Sequence, residues 1–128
     1  MDTDHGVMFK LGQKVRANEA DPEVVKLTNL YLSAEEYDIV AGLPATEVRK
    51  SRWQVSHDGI RMVIDEFHGR HRGLLLAEVE LAPGEPPRPA PPFAVRDVTS
   101  EDRFSGGALA RASNDEVEGL LREVRNAD

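Results

Sequence analysis

Cysteine is absent from these 128 residues, which excludes disulfides, thiolate metal sites and cysteine nucleophiles. Long apolar runs are missing too: the longest, Leu74–Ala77, falls far short of the ~20 residues a membrane span needs. There is no basic excess. Sixteen Lys and Arg against 23 Asp and Glu give a net charge of -7, whereas a nucleic-acid surface needs a basic patch to meet the phosphate backbone. The opening residues, Met-Asp-Thr-Asp-His-Gly, have neither the basic start nor the apolar centre of a signal peptide. No Gly-x-x-x-x-Gly-Lys phosphate loop and no Gly-x-Ser-x-Gly elbow occurs. The composition is that of a soluble, acidic, cytoplasmic protein, and the length suits a single domain over 1–128.

What is present reads as strands first. Asp2–Gly6 is dense in turn formers and runs into Val7–Leu11, a strand candidate. A turn that opens a chain has nothing to turn from, so the terminus is either ragged or follows a strand missing from this sequence. Asn18–Pro22 reads as a loop, and Val24–Leu32 alternates as a strand. Ser33-Ala-Glu-Glu36 is a capping box that starts a short helix near 33–41, with Tyr37, Ile39, Val40 and Leu43 expected to pack on a sheet. Glu47–Ser56, Ile60–Phe67 and Leu74–Ala82 form an antiparallel meander, its first hairpin closed by Asp58-Gly59. Pro83–Pro92, with six prolines, reads as an extended connector, though its Pro-x-x-Pro spacing also suits a polyproline-binding domain. Near the C-terminus, Val117, Leu120, Leu121 and Val124 share a stripe on a helix near 114–126, capped by Ser113 or Asn114.

Strand side chains alternate between faces, and this sorts the meander's charges. Lys50 and Arg52 share one face of the first strand. Arg61, Val63, Asp65 and Phe67 share a face of the second, and Glu78 and Glu80 a face of the third with Leu74 and Leu76. The opposite faces, with Trp53, Val55, Ile60, Met62 and Ile64, read as the core. A solvated face explains the charges most simply. Yet the near-continuous hydrophobes around Glu78 suit a strand buried on both sides, where a carboxylate needs a cation or metal partner. Carboxylates two residues apart stand about 7 Å from each other and can bracket a hard divalent cation. Lysine and arginine beside them suit oxyanions. His68 and His71 read as exposed loop histidines rather than a metal pair, and His57 as a turn residue.

Five segments in order resemble the CYTH superfamily, the triphosphate tunnel metalloenzymes. They are Val48-Arg-Lys-Ser-Arg52, Asp58-Gly59, Ile64-Asp-Glu-Phe-His-Gly69, Leu75-Leu-Ala-Glu-Val-Glu-Leu81 and Asp97-Val-Thr-Ser-Glu-Asp-Arg-Phe104. The likeness covers roughly 7–110, the later part of that family's domain. It implies an α+β fold whose antiparallel sheet forms a tunnel barrel, here incomplete, binding a triphosphate or other polyphosphate compound with Mg²⁺ or Mn²⁺. It also implies site residues: Lys10, Lys50, Arg52 and Arg103 on phosphate, and Glu78, Glu80 and Asp65 on metal.

The departures from the family are as informative. Its N-terminal Glu-x-Glu-x-Lys signature is absent, as is the Arg-x-Arg-like strand expected before Lys10. Thr28 and Leu30 stand where relatives often carry glutamates, and Val63 where they carry an acid. Loss of the signature removes two carboxylates and a lysine, about half of the implied metal shell, and an open half-tunnel admits solvent that weakens the remaining electrostatics. Three readings follow: a metal-dependent triphosphatase, a degenerate module that binds polyanions or a partner without turnover, or a truncated form of a full enzyme. An incomplete barrel also leaves sheet edges unpaired, which predicts self-association.

Overall fold

Asp58 and Gly59 both take positive φ, 50° and 74°, the two-residue turn geometry that matches strand twist in a hairpin. In this computed structural model, which describes residues 2–3, 6–16, 25–86, 88 and 90–126, that turn joins two strands of equal length. The Asn18–Pro22 loop and parts of the Pro83–Pro92 connector lie outside the described residues. The chain divides into two compact units, Met1–Ala45 and Thr46–Asp128.

In the first unit, β1 (Asp2–Thr3) pairs antiparallel with β2 (Gly6–Val7). Asp4 and His5, in the expected opening turn, lie outside the described residues. β3 (Phe9–Arg16) and β4 (Val25–Leu32) form an eight-pair antiparallel ribbon from Phe9↔Leu32 to Arg16↔Val25. Helix α1 (Ala34–Ala41) starts at the expected box: Ser33 Oγ accepts from the Glu36 amide, and Glu36 accepts from the Ser33 amide. Tyr37 reaches Phe9, with ring centroids 4.8 Å apart. Val40 is half-buried, but the packing expected of Ile39 and Leu43 does not occur. Ile39 and Leu43 are exposed, and none of the unit's described side chains is buried. A two-stranded ribbon has no second layer to bury them against.

The second unit holds the core. β5 (Lys50–His57), β6 (Ile60–Phe67) and β7 (Leu75–Val79) form the expected meander, ordered β5-β6-β7. Its register pairs Arg52 with Asp65 and Val63 with Glu78. A 3-10 turn, Gly69–His71, links β6 to β7; another, Asp102–Phe104, precedes α2 (Gly106–Arg111) and α3 (Asn114–Arg125). Phe67 and Leu74 are buried with Phe104, Leu109, Val117, Leu120 and Leu121, and Val48 and Leu76 pack against them. The C-terminal stripe is the one expected. Ser113, not Asn114, caps α3 through a second capping box with Glu116. Ser113→Ala is expected to cost about 1 kcal/mol, read as a lower urea midpoint; an unchanged midpoint would mean that packing alone holds the helix.

The fold is α+β with antiparallel sheets. The strands form sheets of two, two and three strands, with no closed barrel among the described residues. The assignment of faces is corrected in part. Phe67, Leu74 and Leu76 lie on the face that also bears Lys50, Arg52 and Asp65, and that face supplies the core cluster. On the other face Met62 is buried as expected, 2% exposed, whereas Trp53 is 57% exposed.

Candidate functional site

The charged face is organised around Asp65. At the centre of three strands, its side chain is only 4% exposed, with Arg52 directly across on β5 and Leu76 on β7. Arg52 grips it with two parallel bonds: Nε donates to Oδ1 at 2.7 Å and Nη2 to Oδ2 at 2.9 Å. Lys50 Nζ adds a third, to Oδ2 at 2.8 Å. The two-residue spacing of Lys50 and Arg52 brings both cations over one carboxylate. Lys50 also sits 5.7 Å from the centroid of the Phe67 ring, its cross-strand neighbour.

The electrostatics follow from this geometry. Burial pushes the Asp65 carboxyl up, but the hydrogen bonds from Arg52 and Lys50, with their charges, outweigh it and hold the group at about 2. Asp65 raises the Arg52 guanidinium in turn, chiefly by hydrogen bonding, against partial burial; the charges of Glu78 and Glu80 add to the effect. The cations are less buried than their anion. Lys50 and Arg52 keep 36% and 45% of their side-chain surface exposed.

Lys50, Arg52 and Asp65 are therefore brought together, with Glu78 and Glu80 near enough for their charges to act on Arg52. Both Asp65 oxygens are occupied by cations, which is the environment of a counterion and not that of an open metal ligand. Among the described residues, no three His, Asp or Glu side chains are placed to hold a metal ion. Asp65, Glu78 and Glu80, the metal ligands that the resemblance implies, do not form such a group. Arg103 has other partners: Nη2 donates to Glu101 at 2.8 Å and Nη1 to Glu123 at 2.8 Å, in a surface network shared with Arg96. Lys10 belongs to the first unit, exposed on β3 opposite Tyr31.

The segment after β6 departs from its reading as an exposed loop. His71 is 2% exposed, and its Nε2 donates to the Leu109 carbonyl at 2.6 Å. Arg70 donates to the carbonyls of Leu109, Ala110 and Ala112, fastening the end of α2. His68 is half-buried with Nε2 2.7 Å from Ser51 Oγ. Sequence reasoning passed over this Ser51–His68 pair, yet the signal was there: counting out from the Asp58–Gly59 turn sets both residues at the same end of the hairpin. No helix among the described residues is long and apolar enough to cross a membrane. No family model, curated protein or solved structure matches the chain.

Proposed function

We propose that the Lys50–Arg52 face binds a triphosphate-class polyanion without turning it over. The observation that carries this reading is that two half-exposed cations share one buried carboxylate, so the triad taken by itself has one positive charge in excess. Arg52 commits Nε and Nη2 to Asp65, which leaves Nη1 for a ligand, and Lys50 has donors beyond the one on Asp65. A guanidinium and an ammonium side by side suit phosphate oxygens. Glu78 and Glu80 oppose a bare polyanion here, so the ligand is taken up with Mg²⁺ or Mn²⁺ as its counterion. Hydrolysis needs a positioned water and charge stabilisation at the leaving oxygen, and the carboxylate set is too small to organise them. On this reading the three-stranded sheet is part of an incomplete tunnel of the CYTH kind, supported by the five segments that resemble that superfamily. The acidic, cysteine-free composition accords with a cytoplasmic setting.

Thermal unfolding with tripolyphosphate, with and without Mn²⁺, tests the proposal. Ligand at ~100 times its dissociation constant stabilises a binding-competent fold by ~2.7 kcal/mol. Lys50→Ala keeps the Arg52–Asp65 pair and is expected to weaken binding about tenfold, the loss of one charge-assisted hydrogen bond. No phosphate is released in the same mixtures. Equal affinity in wild type and Lys50→Ala would remove the site, and phosphate release would favour the enzymatic reading.

A further inference from the structure

The charged triad uses one face of the sheet; the other face carries a separate polar group at the same end. Ser51 lies opposite Glu66 in the β5–β6 ladder. The His68 amide donates to the Arg49 carbonyl at 2.9 Å, which carries the pairing one step past the strands. Arg49, Ser51, Glu66 and His68 therefore share the Trp53 face. Within this group Ser51 Oγ and His68 Nε2 are 2.7 Å apart, the separation of a nucleophile from its general base. Both side chains are half-buried, so the pair is held in place and still reachable. Two cavities, of about 520 and 390 Å³, have His68 and Gly69 in common. Glu66, Arg72 and Leu75 also line the larger one.

We propose that Ser51 and His68 are a nucleophile–base pair that hydrolyses small carboxylic esters bearing an anionic group, with the reacting carbonyl at Ser51 and the rest of the ester extending past His68 into the larger cavity. Nε2 of His68 accepts the Ser51 hydroxyl proton, which puts the ring proton on Nδ1. Oγ attacks the ester carbonyl carbon as its proton passes to Nε2. The bond to the alcohol oxygen then breaks, and the departing alkoxide takes that proton. Water attacks the resulting acyl-serine and gives a proton to His68; the carboxylic acid leaves as Oγ recovers the proton. The Arg72 guanidinium attracts the anionic group of the substrate, and Leu75 provides an apolar wall for its carbon chain. None of this draws on Lys50, Arg52 or Asp65, so the proposal stands or falls apart from polyanion binding.

The test is to treat the full chain with an alkyl fluorophosphonate and map the adduct by mass spectrometry. The expected result is one adduct on Ser51, formed with loss of fluoride, absent in Ser51→Ala and about 100-fold slower in His68→Gln. p-Nitrophenyl succinate should be hydrolysed faster than p-nitrophenyl acetate, with the preference lost in Arg72→Ala. Mapping on the wild-type chain decides the matter even where a variant fails to fold. No adduct, an adduct on another residue, or full-rate labelling of a folded His68→Gln would overturn the nucleophile–base pair. Equal rates for the two esters would overturn the anionic preference.

Discussion

Asp65→Asn is expected to lower unfolding free energy by about 2 kcal/mol at neutral pH while tightening tripolyphosphate binding. The first effect follows from linkage. The carboxyl sits at about 2 in the folded chain against its ordinary 3.8. A group depressed by folding contributes its full stability above the unfolded value and loses it as pH falls through the folded one. The gap between wild type and variant should therefore hold at neutral pH and close between about pH 4 and pH 2, when urea unfolding is followed across that range. A gap that is constant down to pH 2 would show that the loss has another source. The second effect follows from competition. Asp65 is the anion already bound to Lys50 and Arg52, so neutralising it frees both cations for phosphate. If Asp65 were instead a metal ligand, the same substitution would weaken Mn²⁺-dependent binding. The sign of the change in affinity separates the two roles.

Arg70→Ala should destabilise the second unit by about 2 kcal/mol, although the side chain lies outside the core. The last carbonyls of a helix have no partner within it, and α2 has only six residues. The Arg70 guanidinium meets this need from the turn between β6 and β7, bonding the Ala110 carbonyl at 2.8 Å and the Leu109 carbonyl at 3.2 Å. Its other terminal nitrogen reaches the Ala112 carbonyl just before α3. Without it α2 frays, and Leu109, 1% exposed, loses its hold beneath Phe67 and Leu74. Arg70→Lys should recover less than half of the loss, because one ammonium cannot span carbonyls that a planar fork bridges. Amide exchange over 106–112 reads this directly. Protection unchanged in Arg70→Ala would mean that Leu109 packing and the His71 bond hold α2 without it.

Local chemistry was legible in this sequence, and contacts between distant segments were not. The Ser33 box, the Asp58–Gly59 turn and the Val117–Val124 stripe rest on spacings of four residues or fewer, and each is in the structure. The triad was readable too. Counting from the turn pairs His57 with Ile60 and, five pairs on, Arg52 with Asp65. Alternation shows which residues share a face, but not which face the helices cover. Trp53 was therefore placed in the core, while the helical layer lies against the Phe67 side. Helix α2 was hidden because Gly106 and Gly107 disfavour a helix, and what fastens it, Arg70 and His71, stands some 40 residues earlier in the chain. Burial of His71 follows from the same distant contact.

The Asp58–Gly59 turn also gives the molecule a clock. Asp58 is 82% exposed at its side chain and precedes a glycine, the pairing in which the next amide most readily attacks the carboxyl to close a succinimide. Reopening inserts a methylene into the main chain as isoaspartate, with no change in mass. A two-residue turn cannot absorb an extra backbone atom without disturbing the pairs on either side. The same ladder, five pairs on, aims Arg52 at Asp65, so chemical ageing at the tip of the hairpin would work along it toward the charged triad.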